Sequence, residues 1–241
     1  MFSNKLLHLT LRRFLLGNYL VIICILFSED IMSKIFIIGL PRTGTTSISV
    51  AFLEAGFKVA HTAYTQAAFE LAEVISDAPC FADFKQLDNL FPGSVFIYLQ
   101  RDLVQWLPSI QGLLIKMAPH LQPKSGHFNP VLKRAFSETF LLSEQTVLSE
   151  EHLTRCYQKH QQDVRDYFGS RDNFIEIDIS KAGSLSHLFT FLNLPHKKEQ
   201  LFPHLNKGTQ VANWKAYKHP NKVNSLTAGK KHRQFFDYDK S

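Results

Sequence analysis

The chain has 241 residues, 45% of them apolar and 20% charged, which is enough to bury one substantial core without a second domain. Its formal charge of +6 is spread over basic residues that never form a run of five or more, so it argues for an anionic small ligand and against nucleic acid as a partner. The three cysteines, Cys24, Cys80 and Cys156, fit neither metal-ligand nor C-x-x-C spacing, and reduced thiols in a cytoplasmic protein are the expectation.

Residues 14–27 form an apolar stretch behind Arg12 and Arg13. It is interrupted by Gly17 and Asn18, is shorter than a comfortable bilayer span and has no small-x-small cleavage pattern after it. Met32-Ser33-Lys34 directly precedes the first strand-like run and makes a natural start. Residues 1–31 are therefore expected to be an extension outside the fold, with a membrane anchor as the competing expectation, and residues 32–241 one domain with an irregular C-terminal tail.

Residues 35–47 read I-F-I-I-G-L-P-R-T-G-T-T-S. Ile35, Phe36, Ile37 and Ile38 make a short continuous apolar run, as in a strand buried on both faces of a parallel sheet. Ile48, Phe52 and Ala55 follow at nearly helical spacing. Between them Gly39, Pro41 and Gly44 punctuate a loop, and the first N–H groups of the helix are left to face an anion. A nucleoside-triphosphate loop, G-x-x-x-x-G-K-(S/T), needs a lysine after its second glycine; here Thr45 follows Gly44 and the cation is Arg42.

Further along, residues 57–60 read as a second strand ending at His61, residues 66–75 as a helix and Asp77-Ala78-Pro79 as a turn. Residues 80–82 suggest a short strand, and residues 84–90 a helix closed by Pro92-Gly93. Residues 95–99 are a second buried strand with Arg101 just past its end. Residues 103–117 are expected to be helical, 119–130 a loop and 131–148 a helix. Ser149 opens another helix through Tyr167, with Glu150 and Glu151 in its first turn and Gly169 ending it. Residues 173–179 alternate as a strand and 185–192 form a helix halted by Pro195. Strands alternating with helices imply a parallel sheet covered on both faces.

In this setting P-R-T-G-T-T-S resembles the 5′-phosphosulfate loop of sulfotransferases, enzymes that use 3′-phosphoadenosine-5′-phosphosulfate (PAPS). The segment F-I-Y-L-Q-R-D-L-V-Q-W-L-P-S is similar to the family pattern R-(D/N)-P-x-x-x-x-x-S, in which an arginine and a serine eight residues later hold the 3′-phosphate; Arg101 and Ser109 match, and Leu103 replaces the proline. L-N-K-G-T-Q-V-A-N-W-K resembles a third family loop, one residue longer between Gly208 and Trp214, from which only Lys207 and Gly208 are carried over. The resemblance covers residues 34–214. It implies a three-layer α/β/α fold of the P-loop nucleotide-binding type with a central parallel sheet. It further implies a 5′-phosphate held by Pro41, Arg42, Thr43, Gly44, Thr45, Thr46 and Ser47, a charge-stabilising role for Arg42, and no metal.

An acceptor hydroxyl or amine also needs a base, and His61 and Asp83 are the candidates expected to open onto the strand-end cleft. Their structural alternatives are a hydrogen-bonded strand-end histidine and the N-cap of the helix at Phe84. Trp214 is read as a stacking residue or, preferably, a core anchor for the tail. Three function classes follow: a PAPS-dependent sulfotransferase acting on a small-molecule or glycan acceptor, a P-loop small-molecule kinase, and a catalytically inactive nucleotide-binding relative. The kinase is disfavoured by the missing loop lysine and by the lack of a clear acidic metal ligand after a later strand.

Overall fold

The computed structural model describes residues 8–16, 19–27, 33–143, 147–196, 202, 214–229 and 236, the first two runs by backbone alone. The chain divides into two compact units, Met1–Ser33 and Lys34–Ser241. In the first, β1 (His8–Leu16) and β2 (Tyr19–Phe27) pair antiparallel, with Leu16 opposite Tyr19 and His8 opposite Phe27. Residues 14–16 and 19–27 of the apolar stretch thus lie in strands, in keeping with the β-branched run Val21, Ile22, Ile23. Among the described residues, no helix is long and apolar enough to cross a membrane.

The second unit is a three-layer α/β/α fold. In chain order it comprises β3 (Ile35–Ile37), α1 (Thr45–Glu54), β4 (Val59–Ala60), α2 (Gln66–Leu71), β5 (Val74–Ser76), α3 (Cys80–Leu90) and β6 (Val95–Gln100). Then come α4 (Leu103–Leu121), α5 (Pro130–Phe140), α6 (Glu150–Phe168), β7 (Phe174–Asp178) and α7 (Ser184–Phe191). The five strands form an all-parallel sheet in the order β4-β5-β3-β6-β7. Because side chains alternate along a strand, Phe36, Ile75, Phe96 and Tyr98 pack under α2, α3 and α6 through Phe69, Phe84, Val164 and Phe168. Ile37, Val74, Ile97, Leu99 and Ile177 face the other way, against Ile48 and Phe52 of α1 and Leu185, Leu188 and Phe189 of α7. Apolar surface taken out of water on both faces stabilises the fold by ~25 cal/mol per Å². A third cluster, centred on Trp106, Phe136, Phe140 and Tyr157, joins α3, α4, α5 and α6.

Four expectations are corrected. Residues 66–75 are not one helix: α2 stops at Leu71, Ala72 is extended (φ −81°, ψ 140°), and Val74–Ser76 is β5, between β3 and β4. Two parallel neighbours outweigh the local helical pattern, and Val and Ile suit a strand. Residues 80–82 are not a strand but the start of α3, whose Phe81, Phe84 and Leu87 are buried at helical spacing. The helix expected over 131–148 ends at Phe140, where Leu141 adopts a left-handed conformation (φ 47°). The loop expected from residue 119 begins only after α4 has run to Leu121.

The strand order places the site. From β3 the chain crosses toward β4, whereas from β6 it crosses toward β7, so the carboxyl ends of β3 and β6 flank a crevice at the switch point. The outer side of β4 is closed by the tail: the Val59 N–H donates to Asn221 O at 3.0 Å, and the Val223 and Tyr64 N–H groups complete the pairing with Val59 O and Ser225 O, each at 2.9 Å.

Candidate active site

The loop after β3 is shaped by close approach. A Cβ on Gly39 would sit 2.5 Å from Cβ of Leu99 on β6, so only glycine lets the two strand ends pass. Gly44, the N-cap of α1, has φ 108°, and a Cβ there would meet Ile179 Cδ1 at 2.1 Å. Between them Arg42 is itself left-handed (φ 73°), an uncommon state for a residue with a side chain. The loop is pinned from outside by the Trp106 indole N–H, which donates to Pro41 O at 2.9 Å, and from inside by Thr43, whose N–H and hydroxyl both donate to Leu40 O. Ser47 is 5% exposed in the first turn of α1.

On the β6 side, Arg42 Nε donates to Ser109 Oγ at 2.7 Å, and Arg101 Nη1 donates to Arg42 O at 2.7 Å. The Arg101 backbone is held in turn by Tyr157 of α6, whose hydroxyl donates to Arg101 O at 2.7 Å and accepts from its N–H at 3.2 Å. Arg42, Arg101 and Ser109 are therefore one cluster. Among the described residues, neither arginine forms an ion pair with a carboxylate. Burial and the neighbouring Arg101 charge lower the Arg42 pKa, with Asp77 opposing them from farther off.

On the β5 side lies a polar network. His61 follows β4, and its Nδ1 is 2.9 Å from Ser76 Oγ, the last residue of β5. Ser76 Oγ is 2.8 Å from Ser49 Oγ on α1, and the Ser49 hydroxyl donates to Thr45 O at 2.7 Å. The other ring nitrogen, Nε2, faces Thr46 Oγ1 at 3.4 Å and Asp77 Oδ2 at 3.6 Å. Thr45 Oγ1 donates to the same carboxylate oxygen at 3.4 Å, and the Ala78 N–H donates to Asp77 Oδ1 at 2.8 Å. Burial lowers the His61 pKa and raises that of Asp77, and the attraction between the two opposes both shifts. Over the imidazole sits Trp214, ring centroids 5.1 Å apart, with Lys222 Nζ 4.3 Å from the indole centroid. Trp214 thus anchors the tail and contacts His61.

Asp83 does not open onto the strand-end cleft. It lies at a kink inside α3 (φ −114°, ψ 21°), fully buried, with both oxygens bonded by Arg134 of α5 at 2.9 and 2.6 Å. The physical reason is the helix that replaced the expected strand: it turns the carboxylate toward α5. Lys207 and Gly208 lie outside the described residues.

Asp77, Ser49, Ser76, Trp106 and Tyr157 were not singled out from sequence. Asp77 was hidden by the missed strand: once β5 ends at Ser76, the next residue falls at a strand end beside the loop. It also supplies the acidic group after a later strand that the kinase class lacked. A family model described as a sulfotransferase domain matches residues 61–211, more than half of the chain. That span takes in His61, Asp77, Arg101 and Ser109 and begins after the loop of residues 39–47. No curated protein matches the chain.

Proposed function

The chain belongs to the sulfotransferase family, and on that footing we propose that it moves a sulfuryl group from PAPS to a hydroxyl or amine of a small-molecule or glycan acceptor. The observation that carries the donor assignment is the pair of arginines at two adjacent strand ends, within reach of each other and without a carboxylate partner among the described residues. Two guanidiniums packed this way repel, and an anion with two phosphate groups relieves the repulsion while accepting charge-assisted hydrogen bonds.

In this reading the loop N–H groups and the start of α1 hold the 5′-phosphate, while Arg101 and Ser109 take the 3′-phosphate. Arg42 stabilises charge on the oxygen that leaves sulfur. As in phosphoryl transfer, positioning and electrostatics supply most of the rate. The base is His61, taken as the Nδ1–H tautomer. Ser49 donates to Thr45 O and Ser76 to Ser49 Oγ or to His61 O, 3.1 Å away, and in either arrangement Nδ1 serves as the donor to Ser76. Nε2 keeps its lone pair and faces the loop.

Calorimetric titration with 3′-phosphoadenosine-5′-phosphate tests the donor site. Wild type binds, and Arg42→Ala and Arg101→Ala each bind more weakly; unchanged affinity in both variants rejects the assignment. A second reading, a small-molecule kinase, gains support from Asp77 beside Thr45 and Thr46, where one carboxylate can hold a magnesium ion on substrate phosphates. Preference for ATP with magnesium over the sulfated donor selects it. Mass-spectrometric detection of sulfated products from an acceptor panel separates an active enzyme from an inactive relative.

A further inference from the structure

Resting on the assignment of His61 as base, we propose that Asp77 is its positioning residue: its carboxylate stabilises, and holds in place, the imidazolium that forms when Nε2 takes a proton. The geometry meets each requirement of that role. Asp77 Oδ2 is 3.6 Å from Nε2, the nitrogen that takes the proton in this reading. The carboxylate is aimed by its own backbone, a left-handed residue (φ 56°) of a type that tolerates this conformation, and by the Ala78 N–H on Oδ1. The other side of the imidazole is held at Nδ1 by Ser76 at 2.9 Å, with Ser49 at 3.4 Å.

The charged and titratable groups around the pair come from four elements. Lys222 approaches from the tail and disfavours a charged His61; Arg42 of the loop favours an ionised Asp77; Tyr64 after β4, its pKa pushed up to about 12 by burial, stays neutral; and the buried Cys80 thiol of α3, pushed up by burial, also stays neutral. Among the described residues the charge that favours the imidazolium is that of Asp77. The side chains of His61 and Asp77 are 13% and 17% exposed, so water screens the pair little.

The step balances within these groups. The Nε2 lone pair takes the acceptor proton as the acceptor oxygen or nitrogen bonds to sulfur. The bond from sulfur to the 5′-phosphate oxygen breaks, and its electron pair stays on that oxygen beside Arg42. The cation left on His61 lies against the Asp77 carboxylate until its proton passes to solvent after product leaves. Asp77 touches neither sulfur nor acceptor, which makes it a positioning group.

The test is a nitrogen-detected NMR titration of the full chain labelled at histidine, with His61 assigned by its absence in His61→Gln. In wild type the neutral ring carries its proton on Nδ1, and in Asp77→Asn the His61 pKa falls by about one unit or more. Binding of 3′-phosphoadenosine-5′-phosphate, measured alongside, stays within about threefold of wild type, well under one hydrogen bond to a charged group. A purely structural role for Asp77 leaves the His61 pKa where it was and overturns the proposal, as does a wild-type ring protonated on Nε2. Should Asp77→Asn not fold, Asp77→Ser, which also removes the charge, replaces it, and an unmoved His61 pKa there overturns the proposal. Wild type that fails to bind the nucleotide while His61 still responds to Asp77 sinks the donor assignment alone; nucleotide binding with an unresponsive His61 sinks the pair alone.

Discussion

Arg134 and Arg42 are both partly buried arginines, and they live in opposite surroundings. Arg134 meets Asp83 with two hydrogen bonds and Glu138 with a third, so its charge is answered inside the fold. Arg42 meets a serine hydroxyl and the neighbouring Arg101. A charge matched within the chain is scaffold, whereas cations gathered without a carboxylate are held ready for something that arrives. The two regions should therefore respond oppositely to the same kind of mutation.

Asp83→Ala has the largest expected effect. Removing one partner leaves Arg134 facing a buried gap where its carboxylate stood, at a cost of about 3–5 kcal/mol. Urea unfolding measures it; a loss below about 1 kcal/mol, the range of a surface pair, would make the Asp83 pair no more structural than the arginines of the loop.

His160 extends the contrast to a group that the fold buries in its neutral form. Its Nε2 bonds Phe81 O at 2.7 Å, and burial holds its pKa at about 4 against an ordinary 6.5. Between those values the unfolded chain takes up a proton that the folded chain refuses. The contribution to stability is thus complete above pH 6.5 and is lost as pH falls toward about 4, up to roughly 3 kcal/mol in all. Unfolding curves at pH 7 and pH 5 should differ in wild type, and His160→Gln should narrow the difference.

Arg42→Ala and Arg101→Ala come next. Each should weaken 3′-phosphoadenosine-5′-phosphate binding by about tenfold to a hundredfold, the size of a hydrogen bond to a charged group, while stability moves by less than about 1 kcal/mol. A large drop in melting temperature for either would place it with Arg134 and erase the comparison. The smallest effect expected is that of Ser76→Ala, about 1 kcal/mol of stability, accompanied by loss of the fixed His61 tautomer in the same NMR experiment.

Sequence carried the β3 side of the site well because that chemistry is local. Gly39, Arg42, Gly44 and the hydroxyls fall within nine residues, and Arg101 to Ser109 is a fixed spacing along one strand end and one helix. The β5 side was illegible for the opposite reason. His61, Ser76 and Ser49 meet only after three elements have folded, and Val74–Ser76 is a strand only because β3 and β4 pair with it. The same error moved Asp83: reading α3 one turn late put its carboxylate in the cleft when the folded helix turns it to Arg134. Burial of a carboxylate on a helix depends on what the helix packs against, and that partner, α5, lies some fifty residues downstream.

Closing β4 with residues 221–223 also has a consequence in time. Ribosomes add about 5–20 residues per second, and Ser225, which bonds Thr62, lies 163 residues beyond it. The nascent chain therefore spends on the order of ten seconds with Val59 unpaired on its outer side. During that interval the strand is open to pairing with a neighbouring chain on the same message. His61 meanwhile lacks Trp214, so its finished surroundings form late in synthesis.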